Sequence, residues 1–150
     1  MVLMVGYILF YHYQKRHRLE TQLPDITLVN LDGSDYLPTV HNKPFVYTFI
    51  KPDCHYCLDE VVDISTQLIE EKPVDVFFIS AEPLDVLRDL AAPFETHKVR
   101  FLQDKTQKLS RYYAVTAFPT TIVFSKEGLP LKKFDGTVDL AHILQALPDE

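Results

Sequence analysis

The residues best suited to chemistry are Cys54 and Cys57, three positions apart in the segment Cys54-His55-Tyr56-Cys57. They follow the apolar run 45–50, which is typical of a buried strand, and they precede a region of helical spacing. On the first turn of a helix this spacing brings the two thiols together, so a disulfide can close locally. The partial positive charge of a helix N-terminus favours thiolate at the first cysteine. We therefore expect Cys54 to be the more exposed, attacking sulfur and Cys57 to be the resolving thiol.

A metal site and a purely structural pair are the alternatives for these two cysteines. C-x-x-C is half of many zinc sites, and zinc would need two further ligands. The histidines considered as such ligands show no ligand-like spacing: His41, His55, His97 and His142. Two buried cysteines can also fall at this spacing by chance. Because a C-x-x-C between a strand and a helix is far more specific than the bare motif, redox exchange is the preferred interpretation.

The cysteine motif must be positioned by the surrounding strands and helices, which alternate along the chain. Short apolar runs predict four strands, of which the last is the weakest: 45–50, 74–80, 120–125 and 99–103. Lys126-Glu127-Gly128 and Asp32-Gly33 predict two hairpin turns, the second within 26–38. This order implies an α/β sandwich with parallel strand pairs, to which the later hairpin adds an antiparallel edge.

Apolar residues at helical spacing predict four helices: 55–71, 83–92, 105–113 and 138–147. Pro83 suits the first turn of the second helix, and Pro93 suits its end. In the helix that follows the cysteines, the spacing counted from Leu58 predicts one buried face, with Ile64 lying off it. That predicted face consists of Leu58, Val61, Val62, Leu68 and Ile69.

Composition excludes several classes of protein. The chain has 150 residues and is 47% hydrophobic, which fits one folded domain and argues against disorder. The net charge of −6 makes a nucleic-acid partner a poor hypothesis, because duplex binding requires a basic face. Two cysteines are too few for a multi-disulfide scaffold.

The N-terminal residues form a separate region. Residues 1–13 carry no formal charge and are mostly apolar, and a basic cluster of Lys15, Arg16, His17 and Arg18 follows them. Thirteen helical residues reach roughly 20 Å, less than the roughly 30 Å of a bilayer core. The segment is therefore interpreted as the end of a longer membrane anchor, as an interfacial anchor, or as a packed apolar tail. We expect residues 1–20 to be the anchor and basic juxtamembrane segment and residues 21–150 to be the globular domain.

Two motifs some 60 residues apart resemble the thioredoxin superfamily. The segment 43–60 (KPFVYTFIKPDCHYCLDE) is similar to its strand, C-x-x-C and helix, and 113–121 (YAVTAFPTT) is similar to its cis-proline segment. The segment 23–36 (LPDITLVNLDGSDY) resembles the N-terminal hairpin of the TlpA-like branch of membrane-anchored thiol-disulfide oxidoreductases. The resemblance covers about 23–147 and implies a thioredoxin-like three-layer sandwich with a mixed central sheet.

The resemblance also implies roles for individual residues. Pro119 is expected to be cis and to face the cysteines, with the backbone of Phe118 pairing with an extended substrate. His55 and Tyr56 are expected to contact the substrate as well. Glu60, three residues after Cys57, is expected either to manage protons at the thiols or to be a solvated surface residue.

This sequence departs from thioredoxin itself at three places. Asp53 stands where thioredoxin has a tryptophan, Thr48 stands where it has a buried aspartate, and His55-Tyr56 replaces Gly-Pro. The resemblance implies no organic cofactor and no metal. The expected partners are protein disulfide or dithiol substrates and a membrane redox protein.

The resemblance favours a reducing protein on the extracytoplasmic side of a membrane. The basic cluster after residues 1–13 argues against that topology, since positive charge tends to stay in the cytoplasm. A disulfide-donating oxidant and a copper- or metal-handling binding module on the same fold are the alternatives.

Overall fold

The computed structural model of the chain describes four stretches of residues: 2–21, 23–40, 42–95 and 98–149. His41 and His97, considered above as metal ligands, lie outside the described residues. The described helices are α1 Val2–Thr21, α2 His55–Asp63, α3 Ile69–Glu71, α4 Leu84–Ala91, α5 Lys108–Tyr112 and α6 Leu140–Ala146. The described strands are β1 Leu28–Asn30, β2 Asp35–Tyr36, β3 Phe45–Phe49, β4 Asp75–Ser80, β5 Val99–Gln103, β6 Thr120–Phe124 and β7 Pro130–Asp135.

The strands form one mixed sheet in the order β2-β1-β5-β4-β3-β6-β7. The pairs β3–β4 and β4–β5 are parallel, whereas β6 and β7 add antiparallel pairs at one side and β1 and β2 at the other. The four predicted strands, both predicted hairpins and the mixed sheet are thereby confirmed. The hairpin turns rely on glycine, because Gly33 and Gly128 have φ of 89° and 86°.

Side chains of β3 alternate between two apolar layers, because successive residues of a strand point to opposite faces. Val46 packs in the core beneath α2, α4 and α6, with Val61, Ala91 and Ile143 from those helices. Phe45, Tyr47 and Phe49 pack on the other face, where α5 contributes Leu109. The sheet therefore lies between two helical layers, and every residue of β3 is buried.

The helical segment after the cysteines buries a different face from the predicted one. Ile64 is fully buried, whereas Val62 is 46% exposed. The buried apolar side chains recur at spacings of four, three and four: Cys57, Val61, Ile64 and Leu68. The prediction was right for Val61 and Leu68 and wrong for Val62 and Ile64, because the face was counted from Leu58 instead of from Cys57. A π-helical turn at Ile64–Leu68 also joins α2 to α3, so the segment is not one regular α-helix.

Two other helices differ from their predicted bounds for local reasons. Pro93 does not end α4 abruptly but lies in a 3₁₀ turn, Ala92–Phe94, that extends it. α5 is shorter than predicted because Gln107, just before it, has a left-handed backbone with φ of 58°. The Asp104 carboxylate then accepts hydrogen bonds from the first free backbone N–H groups of α5.

The N-terminal region is helical, and the large apolar side chains described within residues 3–12 are exposed. They include Leu3, Met4, Tyr7, Leu9 and Phe10. Among the residues that the structure describes, no helix combines the length and apolar character needed to cross a bilayer.

The corrected buried face can be tested with a matched pair of substitutions. Ile64→Ala is expected to lower the free energy of unfolding by about 3 kcal/mol, because it leaves a cavity in the core. Val62→Ala, two positions away on the exposed side, is expected to change it by less than about 0.5 kcal/mol. Urea unfolding followed by circular dichroism measures both, and equal losses would contradict this assignment of the face.

Candidate active site

The strand β3 and the N-terminus of α2 hold Cys54 in place. After β3, the backbone N–H of Cys54 donates to the Lys51 carbonyl over 3.0 Å, which closes a tight turn. Cys54 is then the N-cap residue of α2, with extended backbone, and its Sγ accepts from the Cys57 N–H over 3.4 Å. A sulfur therefore replaces the oxygen that usually caps a helix, and the positive end of α2 is directed at it.

The two sulfurs differ in their access to solvent, as predicted. Cys57 is completely buried, whereas Cys54 is only partly buried. Two effects raise the pKa of the Cys57 thiol to about 12: burial, which is the larger, and the hydrogen bond with Cys54. Cys57 is therefore a protonated thiol at neutral pH, and it needs a base before it can attack.

The peptide bond between Phe118 and Pro119 is cis, which confirms the prediction. The Cys54 thiol donates to the Phe118 carbonyl over 3.8 Å, so this loop lies beside the Cys54 sulfur. The Lys51 ammonium lies 4.7 Å from the centre of the Phe118 ring, a cation–π contact. Three chain segments thus meet at Cys54: the turn after β3, the start of α2 and the loop before β6.

Glu60 is buried, with 6% of its surface exposed, and is not the solvated surface residue that was the alternative. Its Oε1 accepts from the Thr121 hydroxyl over 2.9 Å, and that hydroxyl lies 3.2 Å from the Thr48 hydroxyl. Its Oε2 is buried and has no hydrogen-bond partner among the residues that the structure describes. Burial, above all, raises the pKa of Glu60 to about 7, against the opposing effect of the Thr121 hydrogen bond.

His55 and Tyr56 lie at the surface between the two cysteines. The His55 imidazole is 3.4 Å from the Asp59 carboxylate, and both side chains are largely exposed. Tyr56 is 64% exposed. Both side chains are accessible to a large substrate, and their predicted substrate contacts stay a prediction. Among the described residues, no cluster of three or more histidine, cysteine, aspartate or glutamate side chains is arranged to hold a metal ion.

Sequence reasoning missed two residues of this site. Lys51 was not predicted as a site residue, yet it supplies the turn carbonyl and the cation over Phe118. Thr121 was treated as part of a strand, yet it is the hydrogen-bond donor to Glu60. The register of β3 against β6, which pairs Thr48 with Thr121, was needed to find this contact.

The chain belongs to the family described as thioredoxin-like domain, because the model of that family matches residues 39–149. The matched stretch contains both cysteines, Glu60 and the cis-proline. The comparison with curated proteins found no match.

Solved structures of the thioredoxin superfamily share the fold at low sequence identity. A secreted Mycobacterium tuberculosis disulfide oxidoreductase homologous to Escherichia coli DsbE has a TM-score of 0.68 at 16% identity, covering 87% of this chain and 96% of that one. The exposed lipoprotein thioredoxin Etrx1 of Streptococcus pneumoniae has a TM-score of 0.63 at 22% identity, covering 81% and 96%. A thioredoxin-like protein from Aeropyrum pernix has a TM-score of 0.72 at 13% identity, covering 95% and 97%.

The buried carboxyl group predicts a pH dependence of stability. The pKa of Glu60 is about 7 in the folded chain and near 4.5 when unfolded, so folding favours the protonated form. Stability is therefore full below about pH 4.5 and declines as pH rises through 7, by on the order of 3 kcal/mol. Glu60→Gln is expected to remove this decline. Urea unfolding between pH 5 and pH 8 measures it, with the exposed Glu71→Gln as control, and equal slopes in both variants would contradict the burial of this charge.

Proposed function

We propose that this protein is a thiol-disulfide oxidoreductase that exchanges disulfides with protein substrates through Cys54 and Cys57. One observation carries the proposal: the Cys54 sulfur caps α2 beside a buried second thiol and also contacts the carbonyl that precedes a cis-proline. The Cys54 sulfur is only partly buried, the second thiol is one helical turn away, and the Phe118 carbonyl lies beside the Cys54 sulfur.

The exchange proceeds in two steps. The Cys54 thiolate attacks one sulfur of a substrate disulfide, so the substrate S–S bond breaks and its other sulfur leaves and takes up a proton. Cys57 then gives up its proton and attacks the Cys54 sulfur, which releases the second substrate thiol. Two electrons and two protons pass to the substrate, and the Cys54–Cys57 pair ends as a disulfide.

Glu60 is the proposed proton acceptor for Cys57 in the second step. The two residues are three positions apart on α2 and both are buried, so their side chains are neighbours on one face. With a pKa near 7, Glu60 is ionised in about half of the molecules at neutral pH, and it can both take up and release a proton there. Thr121 holds the carboxyl group in place through Oε1 and leaves Oε2 free to accept.

The substrate is proposed to be a protein in an extended conformation. The Phe118 backbone precedes the cis-proline next to Cys54, where a substrate strand can pair with it while its sulfur meets Cys54. His55 and Tyr56, which follow Cys54 directly, have exposed side chains and are proposed to extend the contact surface.

A reducing role is the proposed direction of electron flow. The resemblance of 23–36 to the TlpA-like branch of thiol-disulfide oxidoreductases supports this direction. A reductant must be regenerated by a second dithiol, for which we propose a membrane redox protein.

Residues 1–13 are proposed to attach the domain to the extracytoplasmic side of a membrane. The exposed apolar side chains of α1 support this proposal, since they are unfavourable in water. Two structural neighbours are described as a secreted protein and an exposed lipoprotein, which supports the proposed side of the membrane.

Disulfide exchange by the full chain tests the proposed activity. The reduced protein is expected to cleave the disulfides of insulin, and Cys54→Ser is expected to abolish this. Cys57→Ser is expected to accumulate a mixed disulfide between Cys54 and the substrate, because the resolving step is lost. Mass spectrometry of samples quenched in acid detects that adduct. Absence of both cleavage and adduct would refute the activity.

The same samples test the direction and the proton acceptor. Equilibration with dithiothreitol or glutathione buffers is expected to give a reduction potential near or below about −250 mV, whereas a value near about −120 mV would make the protein an oxidant. Glu60→Gln is expected to slow release of the substrate from the mixed disulfide and to remove its acceleration between pH 6 and pH 8. An unchanged pH profile would rule out Glu60 as the proton acceptor.

Membrane attachment is testable with vesicles of phosphatidylcholine and phosphatidylglycerol. The full chain is expected to float with the vesicles, and Leu9→Asp is expected to weaken its partitioning by about tenfold, because an exposed apolar contact is lost. Leu37→Asp, at an exposed leucine outside α1, is the matched control and is expected to leave flotation unchanged. Equal effects of the two substitutions would argue against attachment through α1.

A further inference from the structure

An open groove of about 960 Å³ adjoins the cysteine motif. It lies between α2, the strand β7 and the start of α6. It runs from Tyr56, between the two cysteines, along α2 to Ile64 at the start of the π-helical turn. The groove therefore begins beside Tyr56, the residue next to Cys57, and leads away from the cysteine motif.

Carboxyl groups dominate the charge of this groove. Five line it, from α2, β7 and the residue before α6: Asp59, Glu60, Asp63, Asp135 and Asp139. The opposing cations are two lysines, both already engaged. Lys133 donates to the Ala114 carbonyl over 2.8 Å and pairs with Asp135 over 3.3 Å, and the Lys132 ammonium lies 5.9 Å from the centre of the Phe134 ring.

Glu60 lines the groove but is only 6% exposed, and its Oε2, the proposed acceptor of the Cys57 proton, is buried without a hydrogen-bond partner among the described residues. The four aspartates of the groove are exposed, so they are the carboxylates that a bound side chain can reach, and they attract a positive charge. Apolar side chains, among them Phe134, Val138 and Leu140, form the walls of the groove.

We infer that this groove binds a lysine or arginine side chain of the protein substrate, close to the disulfide under attack. The inference rests on the proposed function and names the substrates that the site prefers. A long basic side chain fits both properties of the groove, because its methylene stem covers apolar walls while its charged end reaches carboxylates.

The dimensions of α2 place the basic residue in the substrate sequence. From Tyr56 to Asp63 the helix rises roughly 10 Å, at 1.5 Å per residue. An extended substrate covers that distance with about three residues, at about 3.3 Å each. The preferred substrates therefore carry a lysine or arginine about three to five residues from the attacked cysteine.

Matched synthetic peptides test this preference with the reduced full chain. Each peptide carries one cysteine in a mixed disulfide with 2-mercaptoethanol, and lysine, glutamine or glutamate four residues away. The lysine peptide is expected to be reduced about tenfold faster than the glutamine peptide at low salt, and the glutamate peptide more slowly still. The advantage is expected to shrink at 0.5 M salt, because the four aspartates of the groove are exposed.

Variants of the groove separate this preference from a general charge effect. Asp63→Asn and Asp139→Asn are each expected to lower the ratio of lysine-peptide to glutamine-peptide rates about threefold. Asp63→Lys is expected to invert the preference towards the glutamate peptide. Asp89→Asn, which removes an exposed carboxylate of α4 outside the groove, is the control and is expected to leave all ratios unchanged.

The uncharged bis(2-hydroxyethyl) disulfide distinguishes a failure of the proposed activity from a failure of the groove inference. If the wild-type chain reduces neither this compound nor any peptide, the proposed function itself is wrong. If it reduces this compound but treats the three peptides alike, the exchange activity stands and the groove inference is overturned. A preference for lysine that Asp63→Asn and Asp89→Asn diminish equally would also overturn it.

Discussion

The site depends on the N-terminus of α2, whose free backbone N–H groups must be capped. Its first backbone N–H groups need an acceptor, and the Cys54 sulfur provides one. Because the sulfur completes the helix, its position is fixed by the same packing that fixes α2 on the sheet. Through Cys57 and Val61 that packing reaches the centre of the core. The reacting atom is therefore placed by the fold as a whole.

In the proposed exchange reaction, the burial of Cys57 also creates the need for a proton acceptor, the role proposed for Glu60. A thiol in the core resists ionisation, so a nearby proton acceptor has to share its apolar surroundings. A buried carboxylic acid meets that requirement because its own proton is held until neutral pH. Thioredoxin has a buried aspartate at the position of Thr48, whereas here the carboxyl group comes from α2 and contacts Thr48 through Thr121. One threonine pair thus links the central strands to the carboxyl group beneath the cysteines.

The sequence was sufficient to predict the strands, the hairpins, the mixed sheet and the cis bond before Pro119, because each leaves a local pattern or a motif. It was insufficient for the face of α2, where Val62 and Ile64 have similar hydrophobicity and only tertiary packing distinguishes them. Thr121 could not be assigned either, since its contact with Glu60 joins residues 61 positions apart. The burial of Glu60 likewise depends on where β6 lies, which the helix sequence does not record.

The two edges of the sheet bear on how the protein behaves at high concentration. Exposed strand edges are templates for pairing between chains, which leads to aggregation. At one edge β2 has only two residues. At the other, β7 begins with Pro130, carries Lys132 and Lys133, and pairs irregularly with β6 near Phe124. A short strand, a proline, two charges and a bulge all disfavour such pairing. Both edges of this seven-stranded sheet therefore disfavour the addition of a strand from another chain.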